Sequence, residues 1–312
     1  MSGFVMSSDI ARILHGRVFG KDLPLKRISL LRDSQEDSLL VLYEPQSNSD
    51  LTNVKFGAVI YPPQFMLPTD RTFIVTAEKV WNKLYKIVEL FLENGIYRRR
   101  IPHNMPFSSP IKQGYNCIIG QGTRFGENVT IGDGCVIGSN AIIGDDVIIG
   151  DNVIIECGAV VGNESFQFCF DENAYHKVPN IGTIRIGNDV EIGANSTIER
   201  GSIGNTIIGN GSKIGDLVHI GHETIIVENT MIVAQTAIAG WSEIGNNVTI
   251  YGQSGIANFV KINDNAVILA KSGVTRNVRE SESVWGIPAQ NSIDFMKQQA
   301  FLRRSCDERR KP

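Results

Sequence analysis

Residues 207–274 read IIGNGSKIGDLVHIGHETIIVENTMIVAQTAIAGWSEIGNNVTIYGQSGIANFVKINDNAVILAKSGV, with an aliphatic residue at every sixth position. The twelve positions are Ile208, Ile214, Ile220, Ile226, Ile232, Ile238, Ile244, Ile250, Ile256, Ile262, Ile268 and Val274. A period of six fits neither an α-helix nor an alternating strand, and hexapeptide repeats are a signature of the parallel β-helix. Three such strands make one coil, so residues 18 apart in this sequence become neighbours. The stretch predicts a left-handed parallel β-helix.

The same period begins earlier and is interrupted once. From Ile119 to Val161 an aliphatic residue or Phe again recurs every six positions, usually with glycine directly after it. The pattern is lost at 163–183, returns, and slips by four residues at 201–204. We therefore expect a β-helix domain over 105–284, with a loop at the lost register that leaves room for an active site.

The segments on either side of the repeat have other periodicities. A helical spacing of apolar residues at 77–94 indicates an amphipathic helix, and it follows three strand-like apolar runs. These runs are 38–44, 56–62 and 72–76. Residues 1–104 are therefore a small α/β domain. Residues 285–312 contain a second helix, predicted at 291–304, and a basic tail. A solenoid needs capped ends, so both flanking parts have a structural role.

Composition excludes several classes of protein. A net charge of −3 over 312 residues gives no general surface for nucleic acid. No apolar run reaches the roughly 18 residues of a membrane helix, and the N-terminus has no secretory pattern. Five cysteines without a CxxC spacing are typical of a reducing compartment. We expect a cytoplasmic protein that is not inserted in a membrane.

His222 is the main candidate for chemistry, since the sequence has no P-loop, GxSxG or HExxH motif. It follows Ile220 at an outward-facing corner, and Gly240 stands one coil further on, with Asn258 and Phe259 two coils further on. An imidazole suits a general base near neutral pH, and a backbone N–H suits an oxyanion. Together these groups are enough to move an acyl group. The alternative is a solvated corner histidine.

A metal site at the H-x-x-H formed by His219 and His222 is not favoured. The two residues fall at different positions of the six-residue repeat, one on a strand end and one at a corner. No cysteine or third histidine is in register with them, so we expect no metal.

Five segments of the chain carry a signal more specific than the repeat. They are IGNDVEIGANSTIERG (186–201), TIIGNGSKIGDLVHIGHETII (206–226), AQTAIAGWSEIGNNVTIYGQSGIANFVKI (234–262), GNESFQFCFDENAYHKVPNIG (162–182) and WGIPAQNSIDFMKQQAFLRR (285–304). Together they resemble the UDP-3-O-acylglucosamine N-acyltransferase family of lipid A synthesis. The resemblance implies a cytoplasmic homotrimer with active sites between β-helices. It also implies transfer of a 3-hydroxyacyl chain from acyl carrier protein to the 2-amine of a UDP-linked glucosamine. No cofactor is implied beyond the thioester of phosphopantetheine or CoA.

The resemblance also assigns roles to residues of this chain. His222 matches the family's catalytic base, and Gly240 matches the glycine whose N–H serves the oxyanion. Arg303 and Arg304 lie in the helix where the acidic carrier protein would dock. Each arginine has the alternative reading of a solvated helix charge.

Departures from the family pattern fall near the reacting groups. Phe259 stands where the family usually has a second histidine, and Gly215 stands where it has an aspartate, with Asp216 one place later. Trp241 occupies a small-residue position beside the acyl groove, which could shorten or redirect the chain pocket.

Other departures concern the nucleotide. Val41, Glu44 and Ser47 take the three positions of the uracil-binding segment, and the G-D-G-F loop is replaced by a segment that ends at Phe166. We expect Glu44, Ser47 and Phe166, together with Asn258, Phe259 and Trp241, to contact substrate.

Three functional hypotheses remain open on the sequence. The first is a lipid A enzyme that uses acyl carrier protein and a long chain. The second is a relative that uses acyl-CoA and a short chain on another nucleotide-linked amino sugar, for a surface glycan. The third is a β-helical sugar-nucleotide binder without catalysis.

Overall fold

The computed structural model describes residues 3–42, 51, 53–62, 71–98 and 111–308, with side chains as far as Arg304. The chain forms two compact units. The first comprises the described residues of Met1–Ile101, Phe166–Gly182 and Ser202–Gly204. The second comprises those of Pro102–Ser165, Thr183–Gly201 and Asn205–Pro312. No helix among the described residues is long and apolar enough to cross a bilayer.

The N-terminal part of the first unit is a small α/β fold. Its strands are β1 (Val5–Met6), β2 (Arg17–Phe19), β3 (Pro24–Leu25), β4 (Arg27–Ser29), β5 (Ser38–Leu40), β6 (Ala58–Tyr61) and β7 (Thr72–Val75). Its helices are α1 (Ser7–Ile13) and α2 (Val80–Glu93), with a 3-10 turn at Leu31–Asp33. The five-stranded sheet has the order β2-β7-β6-β5-β4 and is parallel except for β2. The predicted strands correspond to β5, β6 and β7, although residues 43–44 of the first prediction lie outside the described residues. The predicted helix corresponds to α2, which begins at Val80 rather than at 77.

The second unit is a parallel β-helix with three sheets. One sheet contains β8 (Lys112–Gln113), β11 (Thr130–Ile131), β14 (Ile148–Ile149), β19 (Thr183–Ile186), β22 (Asn205–Ile208), β25 (Ile225–Ile226), β28 (Glu243–Ile244) and β31 (Lys261–Ile262). Another contains β10 (Arg124–Phe125), β13 (Ile142–Ile143), β16 (Val160–Asn163), β21 (Thr197–Glu199), β24 (His219–Ile220), β27 (Ala237–Ile238), β30 (Gly255–Ile256) and β33 (Gly273–Val274).

The third sheet of the β-helix closes each coil. It contains β9 (Ile118–Ile119), β12 (Val136–Ile137), β15 (Ile154–Ile155), β20 (Glu191–Ile192), β23 (Lys213–Ile214), β26 (Met231–Ile232), β29 (Thr249–Ile250), β32 (Val267–Ile268), β34 (Ser283–Trp285) and β35 (Gln290–Asn291). The predicted fold class, a mainly β protein with hexapeptide repeats, is confirmed.

The six-residue repeat builds the core of the β-helix. In most two-residue strands the first side chain points outward and the second inward, as in β27, where Ala237 is exposed and Ile238 is fully buried. The inward residues stack in register, because Ile220 pairs with Ile238 and Ile238 pairs with Ile256. Cys135 is buried in the same apolar core, as its small apolar position in the repeat predicts. The axis is therefore a continuous apolar core.

Corners between the strands need a residue with positive φ. Asn140 (φ 59°) and Asn247 (φ 55°) are examples, and asparagine accepts this conformation more readily than most residues. The corners after the first sheet hold only asparagine, aspartate or glycine at this position. The corners after β24, β27 and β30 depart from that rule, as do those after β23, β26, β29 and β32.

The lost register forms a hairpin. Its strands, β17 (Phe168–Asp171) and β18 (Ala174–Lys177), pair antiparallel. The hairpin packs on α2, where Lys83 Nζ lies 2.6 Å from Asp171 Oδ1 and the rings of Tyr85 and His176 stack at 4.4 Å. These contacts group 166–182 with the first unit, whereas the sequence placed the loop in the β-helix domain.

A helix, α3 (Ser292–Glu308), ends the described chain. The Oδ1 atom of Asn291 accepts the N–H groups of Ile293 at 3.0 Å and Asp294 at 3.4 Å, so Asn291 is its cap. The sequence predicted this helix and its start. Arg303 and Arg304 lie on it and are exposed.

Candidate active site

His222 lies at the corner that follows β24, but its side chain is only 9% exposed. The sequence predicted a corner that faces outward. The imidazole is covered instead, because its Nδ1 atom bonds to the next residue and the indole of Trp241 lies against it at right angles, with ring centroids 6.1 Å apart. His222 is therefore a fixed side chain rather than a solvated one.

Glu223 holds the imidazole. Its Oε2 atom lies 2.5 Å from Nδ1 of His222, and its side chain has no exposed surface. When Nδ1–H donates to this carboxylate, Nε2 is the nitrogen that can accept a proton. The sequence reasoning missed Glu223. The available signal was a glutamate at a corner position of positive φ (54°) that asparagine, aspartate or glycine usually fills.

Gly240 lies directly beside the base, as the spacing of the repeat predicts. A Cβ atom on Gly240 would stand 2.8 Å from Nε2 and 2.9 Å from Cε1 of His222. The residue is buried, and within the described part of the chain its N–H makes no hydrogen bond. A buried N–H without a partner requires an explanation. Here the donor belongs to a residue that directly adjoins the imidazole of His222.

Two aromatic residues continue the edge past His222. Trp241 and Phe259 stack with ring centroids 6.0 Å apart and 21° between their planes. Both have positive φ, 65° and 62°, which is uncommon for bulky residues. Asn258, predicted on the same edge, is exposed at the corner that bears Phe259. The register thus brings together all of the predicted residues of this edge.

The other predicted contacts belong to the first unit or fall outside the described residues. Phe166 is 81% exposed in the first unit, where its ring meets that of Phe168 at 5.1 Å. Glu44 and Ser47 lie outside the described residues. Val41, which takes the first position of the uracil-binding segment, is 1% exposed and part of the core beside β5. A buried valine cannot stack on a base.

Metal ligands do not converge in the described ranges. No group of three or more His, Cys, Asp or Glu side chains there is placed to hold a metal ion. His219, the first histidine of the H-x-x-H, faces Glu199 instead, with 3.7 Å between Nε2 and Oε1.

The fold and the corner site place the protein in the class of hexapeptide-repeat β-helix proteins. Residues 128–163 match the family model described as bacterial transferase hexapeptide (six repeats). A UDP-N-acetylglucosamine acyltransferase from Bacteroides fragilis has a similar structure, with a TM-score of 0.54 and 25% identity over 64% of this chain and 78% of that one.

Two curated relatives identify the family. A UDP-3-O-acylglucosamine N-acyltransferase from Neisseria meningitidis is 37% identical over 251 residues, which are 75% of this chain and 72% of the relative. UDP-3-O-acylglucosamine N-acyltransferase 2 from Legionella pneumophila (strain Lens) is 47% identical over 154 residues, 49% of this chain. This match spans 45% of the Legionella protein, less than half its length. The chain belongs to the UDP-3-O-acylglucosamine N-acyltransferase family.

Proposed function

We propose that the protein is an N-acyltransferase that moves a 3-hydroxyacyl group from a carrier-protein thioester to the amine of a UDP-3-O-acylglucosamine. The observation that carries this proposal is the imidazole of His222, held through Nδ1 by buried Glu223, with Nε2 beside Gly240. Among the described residues the N–H of Gly240 has no partner. The family membership of the chain supports the substrate class.

The proposed reaction needs one base and one oxyanion donor. The sugar amine attacks the thioester carbonyl carbon, and Nε2 of His222 takes a proton from the amine as the C–N bond forms. The Gly240 N–H donates to the oxygen of the tetrahedral intermediate. The C–S bond then breaks, and His222 returns the proton to the leaving thiolate. Glu223 stabilises the imidazolium between these two transfers.

The assembly and the partners belong to the same proposal. The protein acts as a cytoplasmic homotrimer, with the thioester as a co-substrate and no other cofactor. Residues 1–104 bind the nucleotide, near Glu44 and Ser47. Arg303 and Arg304, exposed on α3, meet the acidic carrier protein. Phe166 and Asn258 contact substrate. The fit of opposite charge supports the role of the arginines.

A second candidate is favoured by one observation. The stacked rings of Trp241 and Phe259 place two bulky side chains beside the base, which leaves less room for a long chain. In this version the donor is a short acyl-CoA and the acceptor is another nucleotide-linked amino sugar.

Transfer assays test both candidates. Purified protein is supplied with 3-hydroxyacyl carrier protein or acetyl-CoA, and with UDP-3-O-acylglucosamine or other nucleotide-linked amino sugars, and amide formation is followed by mass spectrometry. Turnover with the carrier protein and the UDP-sugar alone supports the first candidate. Turnover with acetyl-CoA alone supports the second. If the protein bound a nucleotide sugar but transferred no acyl group, the proposed catalysis would be refuted. Light scattering on the same sample measures the oligomeric state and tests the proposed homotrimer.

The variant His222→Ala tests the proposed base. It should lose at least about 100-fold in kcat while the oligomeric state is unchanged. Near-normal turnover would exclude His222 as the base.

A further inference from the structure

Several corner N–H groups in this β-helix are capped by a side chain of the next coil. The N–H of Asp133 donates to Oδ1 of Asp151 at 2.8 Å, and that of Asn246 donates to Oδ1 of Asp264 at 2.8 Å. The N–H of Ala194 likewise donates to Oδ1 of Asp216 in the following coil. The acceptor in each case is an Asp or Asn side chain that covers the N–H of the corner before it.

The corner of His222 is capped from the opposite direction. The residue one coil further on is Gly240, which has no side chain to supply an acceptor. The N–H of His222 donates instead to Oε2 of Glu199, at 3.2 Å. Glu199 ends β21 in the preceding coil, and its side chain is 5% exposed.

Capping from the preceding coil leaves the volume beside Gly240 free for the imidazole. An aspartate or asparagine in place of Gly240 would occupy the volume that the imidazole fills, because even a Cβ atom would stand 2.8 Å from Nε2. With glycine there, the N–H of His222 would be buried without an acceptor, unless another residue provided one. Glu199 provides it from below, so the imidazole and its backbone are both accommodated.

Glu199 also reaches the other end of the same short strand. Its Oε1 atom lies 3.7 Å from Nε2 of His219, while its Oε2 atom accepts the N–H of His222. One buried carboxylate therefore accepts the N–H at the corner that follows β24 and lies near the first residue of that strand.

We infer that Glu199 is a positioning residue for the base: it fixes the backbone of His222 so that Nε2 stays beside Gly240. The activity part of this inference rests on the proposed transferase function, but the hydrogen bond itself does not. The acceptor oxygen is what matters for the corner, so glutamine should replace glutamate and alanine should not.

The test compares Glu199→Ala with Glu199→Gln in the full chain. We expect the alanine variant to lose about 10- to 100-fold in kcat with KM within about twofold, and the glutamine variant to stay within about threefold of the parent. A matched control is Glu191→Ala, which removes an exposed carboxylate from the outer surface of the same coil. It should leave kcat unchanged.

Amide hydrogen exchange provides a readout that needs no activity. The amide of His222 should exchange faster in Glu199→Ala, and at the parent rate in Glu199→Gln. If the parent enzyme transfers no acyl group, the proposed function fails while the exchange data still decide the role of Glu199. Equal kcat and exchange in parent and alanine variant would overturn the inference, as would a glutamine variant as impaired as alanine. If the alanine variant does not fold, Glu199→Asp takes its place, with a shortened reach and the same expected losses.

Discussion

The Nδ1 atom of His222 and the Oε2 atom of Glu223 are 2.5 Å apart, and they belong to consecutive residues. The positive φ of Glu223 lets a side chain that would otherwise point away from its neighbour close this bond within one corner. Glu223 thus orients the ring within one corner, while Trp241 packs against the ring and Glu199 accepts the N–H of His222. The bond between His222 and Glu223 itself depends on one local backbone conformation.

Glu223→Gln tests whether the carboxylate selects the tautomer of the base. An amide can donate to Nδ1 and so favour the form in which Nε2 carries the proton, which is the wrong form for a base. We expect kcat to fall about 100-fold or more, with folding retained. Steady-state kinetics and circular dichroism measure the two effects. Glu243→Gln, which alters an exposed carboxylate paired with Lys261, is the matched control. A Glu223→Gln enzyme as active as the control would contradict the assignment.

Gly240→Ala tests the clearance around the imidazole. The added methyl would meet Nε2 of His222 at 2.8 Å and its backbone oxygen at 2.9 Å, so the ring must move. We expect a loss of about 100-fold in kcat/KM and destabilisation of about 1–3 kcal/mol. Gly255→Ala is the control, since a Cβ atom there would have no neighbour within 4 Å. Urea unfolding and steady-state kinetics on both variants measure these losses. If Gly240→Ala and Gly255→Ala had the same stability and the same kcat/KM, the imidazole would not need the space beside Gly240.

Trp241 and Phe259 give a prediction about the acyl donor. Replacing either ring by alanine removes one side of the stack and opens space beside the base. We expect Trp241→Ala to raise kcat/KM for donors of 10 to 14 carbons, relative to acetyl donors, by about tenfold, a ratio set by a few methylene contacts. Competition assays with mixed thioesters measure that ratio directly. If the ratio of kcat/KM for long and acetyl donors were the same as in the parent enzyme, these residues would not select the length of the acyl chain.

Asp171 gives a prediction about pH. The hydrogen bond from Lys83, with further bonds from Tyr85 and Lys86, lowers the pKa of Asp171 from 3.8 to about 2. A carboxyl whose pKa is lower in the folded state stabilises that state above its unfolded pKa, and this contribution disappears as the pH falls from about 4 towards 2. Asp171→Asn should therefore lower the melting temperature by a few degrees at pH 7, and by progressively less below pH 4.

Thermal melts at a series of pH values check the Asp171 prediction. The control is Glu36→Gln, which breaks a pair with Lys55 in which both side chains are largely exposed. Exposed pairs contribute little to stability, so this variant should melt with the parent at every pH. If the difference in melting temperature between Asp171→Asn and the parent stayed constant down to pH 2, the ion pair would not be the cause of that difference.

Most of the fold could be predicted from the sequence because every coil makes the same contact with the next one, through its inward aliphatic residues. The six-residue period places Ile220, Ile238 and Ile256 in a column, and from that column the neighbourhood of His222 and Gly240 follows by counting. No long-range information was needed, since each coil touches only the next. The same counting also placed Asn258 and Phe259 on this edge, whereas Trp241 was assigned there by the family resemblance.

Contacts that depend on side-chain direction could not be predicted in this way. Counting places Glu223 on a corner but does not show that its positive φ turns the carboxylate back onto the imidazole. It also gives no sign that Glu199 reaches forward to the N–H of His222. The packing of the hairpin on α2 depends on Lys83 and Asp171, which are far apart in the chain and carry no common pattern.

The interruption of the repeat has a consequence for how this scaffold can diversify. Ile131 pairs with Ile149 across 18 residues, whereas Ile149 pairs with Ile186 across a segment about twice as long, and the register is unchanged. Doubling a loop adds only about 0.6 kcal/mol to the entropy of closure. The insertion at the corner that follows β16 is therefore nearly neutral to the scaffold. The β-helix can carry an added segment at this corner while its buried core keeps the same contacts.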